Sequence, residues 1–279
     1  MAQDLRTEHK GRILAVKDLP TLPKVLDEVN RLVEDPESST EQIAKVISYD
    51  QVLSAKVLKM VNSPIYGFPG RIASVQHALV LLGYNVIRGI IISTSVFDIM
   101  TQSMVGLWEH SVGCALACAE VARQAGFEDP EEYSVSGLLH DLGKVVATVQ
   151  LPEIKTEIEQ VIKDKDIGYR DAERQVLGFG HDRINAWLAD HWNLPPKLRE
   201  GMAHHHKPLS AEFYPAMACV VHVGDFLVRL MEYGSAGDDN VSALDPQALK
   251  LLKLGQSDLE SILDGLCDKF IEVSDLSFD

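Results

Sequence analysis

The chain has 279 residues, 46% hydrophobic and 24% charged, enough to bury one large core or two ordinary ones unaided. Lys and Arg number 26 against 41 Asp and Glu, a formal charge of −15 that opposes binding to DNA, RNA or an anionic membrane by bulk electrostatics. Residues 1–10 are polar with no apolar run of signal-peptide length, and the four cysteines, Cys114, Cys118, Cys219 and Cys267, are too scattered for a disulfide framework, so the expected setting is a reducing cytoplasm.

In chain order the pattern is helix after helix. Over residues 21–34, Leu22, Val25, Leu26, Val29 and Val33 recur at spacings of three and four, an amphipathic helix with Pro23 in its first turn. Ser39 or Thr40 caps a helix over 41–48. Asp50 opens a third, carrying Leu53, Val57, Leu58 and Val61 and closed by Asn62-Ser63-Pro64, and a loop covers 64–71. Ser74 caps 75–82, and a more uniformly apolar helix follows over 84–100. The longest apolar run, 78–97, is interrupted by Asn85 and Arg88 and punctuated by Gly83 and Gly89. That predicts two buried helices meeting at a turn, not a membrane span.

From about Thr101 a second unit begins, in which metal-capable residues fall on apolar helical faces. Residues 107–124 form an Ala-rich helix with His110, Cys114 and Cys118 along one face. A helix over 131–140 delivers His140-Asp141 at its end, with Gly143 allowing a turn. Further helices start at Pro152, cover 170–177 and 182–192, restart after Asn193-Leu194-Pro195-Pro196, and run over 213–231, where His222 and Asp225 share a face. Gly178-Phe179-Gly180 reads as a flexible hinge before His181. A linker over 234–239 leads to two amphipathic helices within 246–278 that carry no identifiable chemistry. No stretch alternates with period two long enough to be a strand, so the fold class is all-α. The chain divides into 1–104, 105–233 and 234–279.

The chemistry centres on Leu138-Leu139-His140-Asp141-Leu142-Gly143-Lys144, an imidazole and a carboxylate side by side on an apolar element. A buried carboxylate there needs a metal, a salt bridge or solvent as compensation. Imidazole with carboxylate suits Fe, Mn, Zn, Ni or Co rather than Mg or Ca, and a carboxylate can bridge two ions. We expect two divalent ions, one held by His110, His140, Asp141 and Asp225, the other by Asp141, His181 and His205 with His206 nearby. Lys144 follows Asp141 by three residues and either offers its charge to a phosphoryl oxygen or is a solvated helix-end charge. Cys114 and Cys118 read as small core residues, and His222 packs beside Asp225 or orients it. His9, His77 and His191 receive no role.

The second unit resembles the HD superfamily of metal-dependent phosphohydrolases through Trp108-Glu109-His110-Ser111, Leu139 to Lys144, His181, His205-His206 and Asp225. The first unit narrows the resemblance. Leu19-Pro20-Thr21-Leu22-Pro23, residues 50–56, Asn62-Ser63-Pro64, Ala78-Leu79 and Leu82-Gly83 are similar to the HDOD group of HD-related output domains, as are Glu173, Leu177-Gly178, Trp192 and Leu194-Pro195. The resemblance implies an HD-type helical bundle with a metal site over 105–233, preceded by an N-terminal helical subdomain and followed by a helical extension. It also implies a bacterial signalling role, with a signalling protein or a phosphate ester as partner. The alternative is a working phosphohydrolase on a nucleotide or other phosphate ester, with Asp141 and Lys144 as catalytic residues. The family's paired histidines favour His205 and His206 within His204-His205-His206. Lys207-Pro208-Leu209-Ser210 stands where HD-GYP phosphodiesterases carry Asp-Gly and Gly-Tyr-Pro, and Gly106 where they place a further metal-binding Glu. Poor hydrolysis of cyclic-di-GMP is therefore expected.

Overall fold

The computed structural model describes residues 7–9, 11–13, 24–274 and 276. The start of the first expected helix, with its motif at 19–23, lies outside them. The remaining turns form α1 (Lys24–Glu34). Ser39 Oγ accepts the Gln42 N–H at 3.2 Å and Gln42 returns its side-chain oxygen to the Ser39 N–H at 2.7 Å, a reciprocal cap that starts α2 (Thr40–Tyr49). Asp50 ends α2 and, accepting the Leu53 N–H at 2.9 Å, opens α3 (Gln51–Val61). Asn62 closes α3 and pairs both side-chain atoms with the Ile72 backbone at 2.7 and 2.8 Å, pinning the loop between them.

Ser74 caps α4 (Val75–Ser103), which bends at Gly83, where φ is 73° and ψ 170°. This is the turn expected between two helices, and a Cβ would strain it. By length and composition α4 could cross a bilayer, yet 67% of its most apolar window is buried within the protein. Arg88, 5% exposed, donates to the Trp192 carbonyl, so the charge that interrupts the apolar run ties α4 to a distant helix end.

The central helix is α5 (Leu107–Gln124), against which α6 (Pro130–Leu139) packs. Gly137 permits the approach, since a Cβ there would lie 2.5 Å from the Cys114 carbonyl and 2.7 Å from Cys118 Sγ. The chain continues as α7 (Leu142–Gln150), α8 (Pro152–Lys165), α9 (Tyr169–Val176), α10 (His181–His191), α11 (Pro196–His204), α12 (Pro215–Leu230), α13 (Pro246–Leu252) and α14 (Gln256–Val273). Among the described residues there is no strand, and one continuous hydrophobic core joins these helices.

The expectation for Gly143 needs correction. It lies in the first turn of α7, a helix the residue pattern did not announce, because only His140 and Asp141 separate it from α6 and His140 keeps a near-helical backbone at φ −60°, ψ −29°. Gly143 serves close packing instead. A Cβ would strike the His181 carbonyl and sit 3.0 Å from Asn185 Oδ1.

Two glycine substitutions test this packing. Gly137→Ala should lower stability by about 1–3 kcal/mol through overpacking. Gly265→Ala, on exposed α14 with nothing within 4 Å of the added carbon, should raise it by about 0.5–1 kcal/mol. Urea unfolding midpoints moving in the same direction would contradict the account.

Candidate metal centre

Seven imidazole and carboxylate side chains from distant parts of the chain meet at one end of the helical core. His110 stands on the first turn of α5, His140 and Asp141 between α6 and α7, His181 at the start of α10, His205 and His206 just after α11, and Asp225 within α12. Asp141 is central and 1% exposed. Its Oδ2 lies 3.7 Å from His110 Nε2 and 3.4 Å from His140 Nε2, and its Oδ1 lies 3.2 Å from His181 Nε2 and 4.0 Å from His205 Nε2. Asp225 Oδ1 is 3.2 Å from His110 Nε2 and 3.8 Å from His140 Nε2. His206 Nε2 is 2.9 Å from His181 Nε2.

The ring orientations follow from what holds the other nitrogen. Nδ1–H of His140 donates to the Gly137 carbonyl at 2.6 Å, that of His181 to Glu173 Oε2 at 2.6 Å, and that of His205 to the Met202 carbonyl at 2.9 Å. Carbonyl and carboxylate oxygens only accept, so a proton sits on each Nδ1 and a neutral ring turns its Nε2 lone pair inward; His181, whose value is raised to about 9, would give up its Nε2 proton as an ion binds. Lone pairs and carboxylate oxygens thus converge with too few protons to share. His140 Nε2 and Asp141 Oδ1 are buried without a hydrogen-bond partner. Such orphaned atoms are costly in a dry interior, and this donor set fits divalent transition cations.

Electrostatics agree. Burial opposes ionisation of Asp141, but His140 and Lys144 beside it outweigh that and hold the carboxyl well below the usual range. Asp225 is held down against burial by Arg229 and then His110; Arg229 Nε donates to it at 2.9 Å, and Arg229 Nη1 donates to Asp238 Oδ1 at 3.3 Å. Burial and then neighbouring imidazoles push His205 and His206 well down, and burial lowers His110. Burial also works against charge on His181, but Glu173 raises it to about 9.

Lys144 is fully buried, not solvated. Its Nζ donates to Asp141 Oδ2 at 2.6 Å and to the Ala236 carbonyl at 2.8 Å, and lies 5.2 Å from the centre of the Tyr169 ring. His204 turns away to Ser210 Oγ at 2.8 Å, while His205 and His206 turn their Nε2 atoms to His181 at 3.4 and 2.9 Å. His222 holds the backbone on either side of the cluster. Its Nδ1–H donates to the His205 carbonyl at 2.8 Å and its Nε2 accepts the Asp245 N–H at 3.0 Å, so both nitrogens are engaged. His77 and His191 are exposed, and they and His9 lie outside the cluster.

Two supporting residues, Asn185 and Arg229, were not singled out from the sequence. Asn185, 0% exposed, accepts the Gly143 N–H at 2.7 Å and donates to the carbonyls of His140 and Met202, joining three of the contributing segments. Its spacing of four from His181 was a usable signal, as was the spacing of four between Asp225 and Arg229. Glu173 also accepts the His181 backbone N–H at 2.7 Å. Gly178, with φ 85°, turns the chain into α10. A cavity of about 120 Å³ reaches the cluster past Tyr169, Arg170, His181, His206, Asp225 and Arg229.

These shifts set the pH dependence of the chelator-treated protein. His110, His205 and His206 have an ordinary value of 6.5 and take up protons more readily when unfolded, so stability should rise as pH climbs through that value. His181, raised to about 9, binds its proton more tightly when folded. Its contribution is complete below pH 6.5 and is lost as pH approaches 9. Urea unfolding from pH 5 to 9 should show a maximum near neutrality, and a monotonic profile would contradict these environments.

Comparison with known proteins gives the family. The HDOD domain family matches residues 19–208. A solved HDOD domain protein of unknown function from Geobacter sulfurreducens superposes with a TM-score of 0.73 at 24% identity, covering 98% of this chain and 97% of its own. A candidate phosphohydrolase from Shewanella amazonensis SB2B superposes with a TM-score of 0.68 at 24% identity, covering 94% and 96%. At these identities the likeness is one of fold. An uncharacterized protein of Treponema pallidum (strain Nichols) is 26% identical over 223 residues, which cover 78% of this chain and 43% of that relative, so the chain spans less than half of its length. With an all-helical fold and a family match over more than half its length, this chain belongs to the HDOD family.

Proposed function

We propose that the chain is a regulatory HDOD module of bacterial signalling that holds two divalent transition-metal ions. His110, His140, Asp141 and Asp225 hold the first, and Asp141, His181, His205 and His206 the second. The observation that carries this reading is the division of Asp141: Oδ2 faces His110 and His140 while Oδ1 faces His181 and His205. A carboxylate presenting each oxygen to a separate set of imidazole lone pairs suits a bridge between two cations. When bound, such ions supply Lewis acidity toward a phosphoryl oxygen and an activated water. Fe, Mn, Zn, Ni and Co all match the donors. Lys144 keeps Asp141 ionised and oriented, and Glu173 and Asn185 fix the rings and the backbone. A cavity of about 120 Å³ borders the cluster at His181, His206 and Asp225, and one of about 520 Å³ borders it at His110 and Arg229, so the space beside it extends into the roughly 300–1,000 Å³ of small-molecule sites.

Phosphate-ester hydrolysis is the second reading, favoured by one observation. Arg170 and Arg229 line the smaller cavity, and although Arg170 pairs with Asp182 and Arg229 with Asp225 and Asp238, Arg170 Nε has no hydrogen-bond partner and could donate to a phosphoryl oxygen entering beside His181 and His206.

Replacing Asp141 separates structure from metal. Asp141→Asn alone strands the buried Lys144 ammonium and should cost about 3–5 kcal/mol. Asp141→Asn/Lys144→Met removes the charge from both sides and should regain most of that loss. Both variants should purify with reduced metal. Hydrolysis of a panel of nucleotides and phosphate mono- and diesters, cyclic-di-GMP included, by metal-replete wild type at rates near ~1 per second would establish the enzyme reading. Absence of turnover across the panel supports the regulatory one. A double variant that keeps its full metal complement would remove Asp141 from the centre and sink the proposal.

A further inference from the structure

We infer that the Cys114 thiol is a further ligand of the first ion, beside His110, His140, Asp225 and the bridging Asp141; the inference rests on the reading of the cluster as a metal centre. Cys114 is fully buried one turn beyond His110 on α5. Its Sγ lies 3.5 Å from His110 Nε2, the ring nitrogen that faces the cluster. Sulfur and imidazole nitrogen that neighbour each other on one ion, at about 2.3 and 2.0–2.1 Å from it, stand roughly 3–4 Å apart.

The other two members agree. One donor atom from each of His110, Cys114, His140 and Asp225 lies within 4.8 Å of every other, and His140 Nε2 points into this group without a hydrogen-bond partner although its residue is 0% exposed. Cys118, one turn further along the same helix, shows what a packing cysteine looks like. Its Sγ approaches the Val220 carbonyl at 3.8 Å and fills the space left by Gly137 and Gly224. No grouping of metal-capable atoms among the described residues includes it.

Coordination forms a metal–sulfur bond and releases the thiol proton to solvent. A thiolate makes the first position softer than the second, which has imidazole and carboxylate alone. The first therefore prefers zinc, cobalt or ferrous iron over manganese, and the centre is built for two unlike ions.

Cobalt(II) loaded anaerobically into chelator-treated protein reads the ligand directly, because thiolate-to-cobalt charge transfer absorbs in the near ultraviolet. Wild type should show this absorption. Cys114→Ser should lose it while retaining bound cobalt and its circular dichroism, and Cys118→Ser should keep it. In case Cys114→Ser fails to fold, X-ray absorption on zinc-loaded wild type gives the same answer, with a sulfur neighbour at about 2.3 Å expected. Cobalt-replete wild type without the band, a band that survives in Cys114→Ser, or a zinc shell of nitrogen and oxygen only would each overturn the inference and leave the metal centre standing. A wild type that binds neither cobalt nor zinc would overturn both.

Discussion

A carboxylate at 1% exposure, Asp141, is the constraint around which this molecule is arranged. Alone in a dry interior it would carry a desolvation penalty of several kcal/mol, and the chain offsets this twice. Lys144, itself fully buried, meets one oxygen at 2.6 Å and is anchored on the other side by the Ala236 carbonyl. The neighbouring His140 and imidazoles from three further segments, His110, His181 and His205, crowd both oxygens. An internal lysine leaves the carboxylate charged while its remaining lone pairs stay open to whatever the imidazoles bind. Replacing either member of the pair alone disturbs folding and the site together.

The distances in the centre are set by helix packing more than by the contributing side chains. Gly137 lets α6 approach α5, and Gly143 lets α7 approach the start of α10; larger residues at either point would push the histidines apart. Asn185 ties the backbone around His140, Gly143 and Met202. Held this way, the rings need little reorganisation to receive an ion, which is how a supporting frame raises affinity. The approach past Arg170 and Arg229 is lined by arginines already paired with Asp182, Asp225 and Asp238.

Much of this was legible from the residues. The caps at Ser39, Asp50 and Ser74, the break at Gly83 and the bounds of α5 are local features, and local chemistry announced them. The residues that converge are imidazoles and carboxylates on otherwise apolar faces, an anomaly visible without coordinates. The helix at Leu142–Gln150 was hidden because its only separation from α6 is the His140-Asp141 pair, and Gly143 looked like a turn when its purpose is a tertiary contact. The burial of Lys144, the grip of Glu173 on His181 and the direction of the Cys114 sulfur depend on which helix lies opposite. Spacing along one helix cannot carry that information.

Anomalous X-ray scattering from crystals of the protein purified without added metal, at the absorption edges of iron, zinc and manganese, tests the central claim most directly. The account predicts two peaks about 3.5–4 Å apart on either side of Asp141, one among His110, His140 and Asp225 and the other among His181, His205 and His206. A single peak, or a cluster that stays metal-free after soaking with each of these ions, would contradict it.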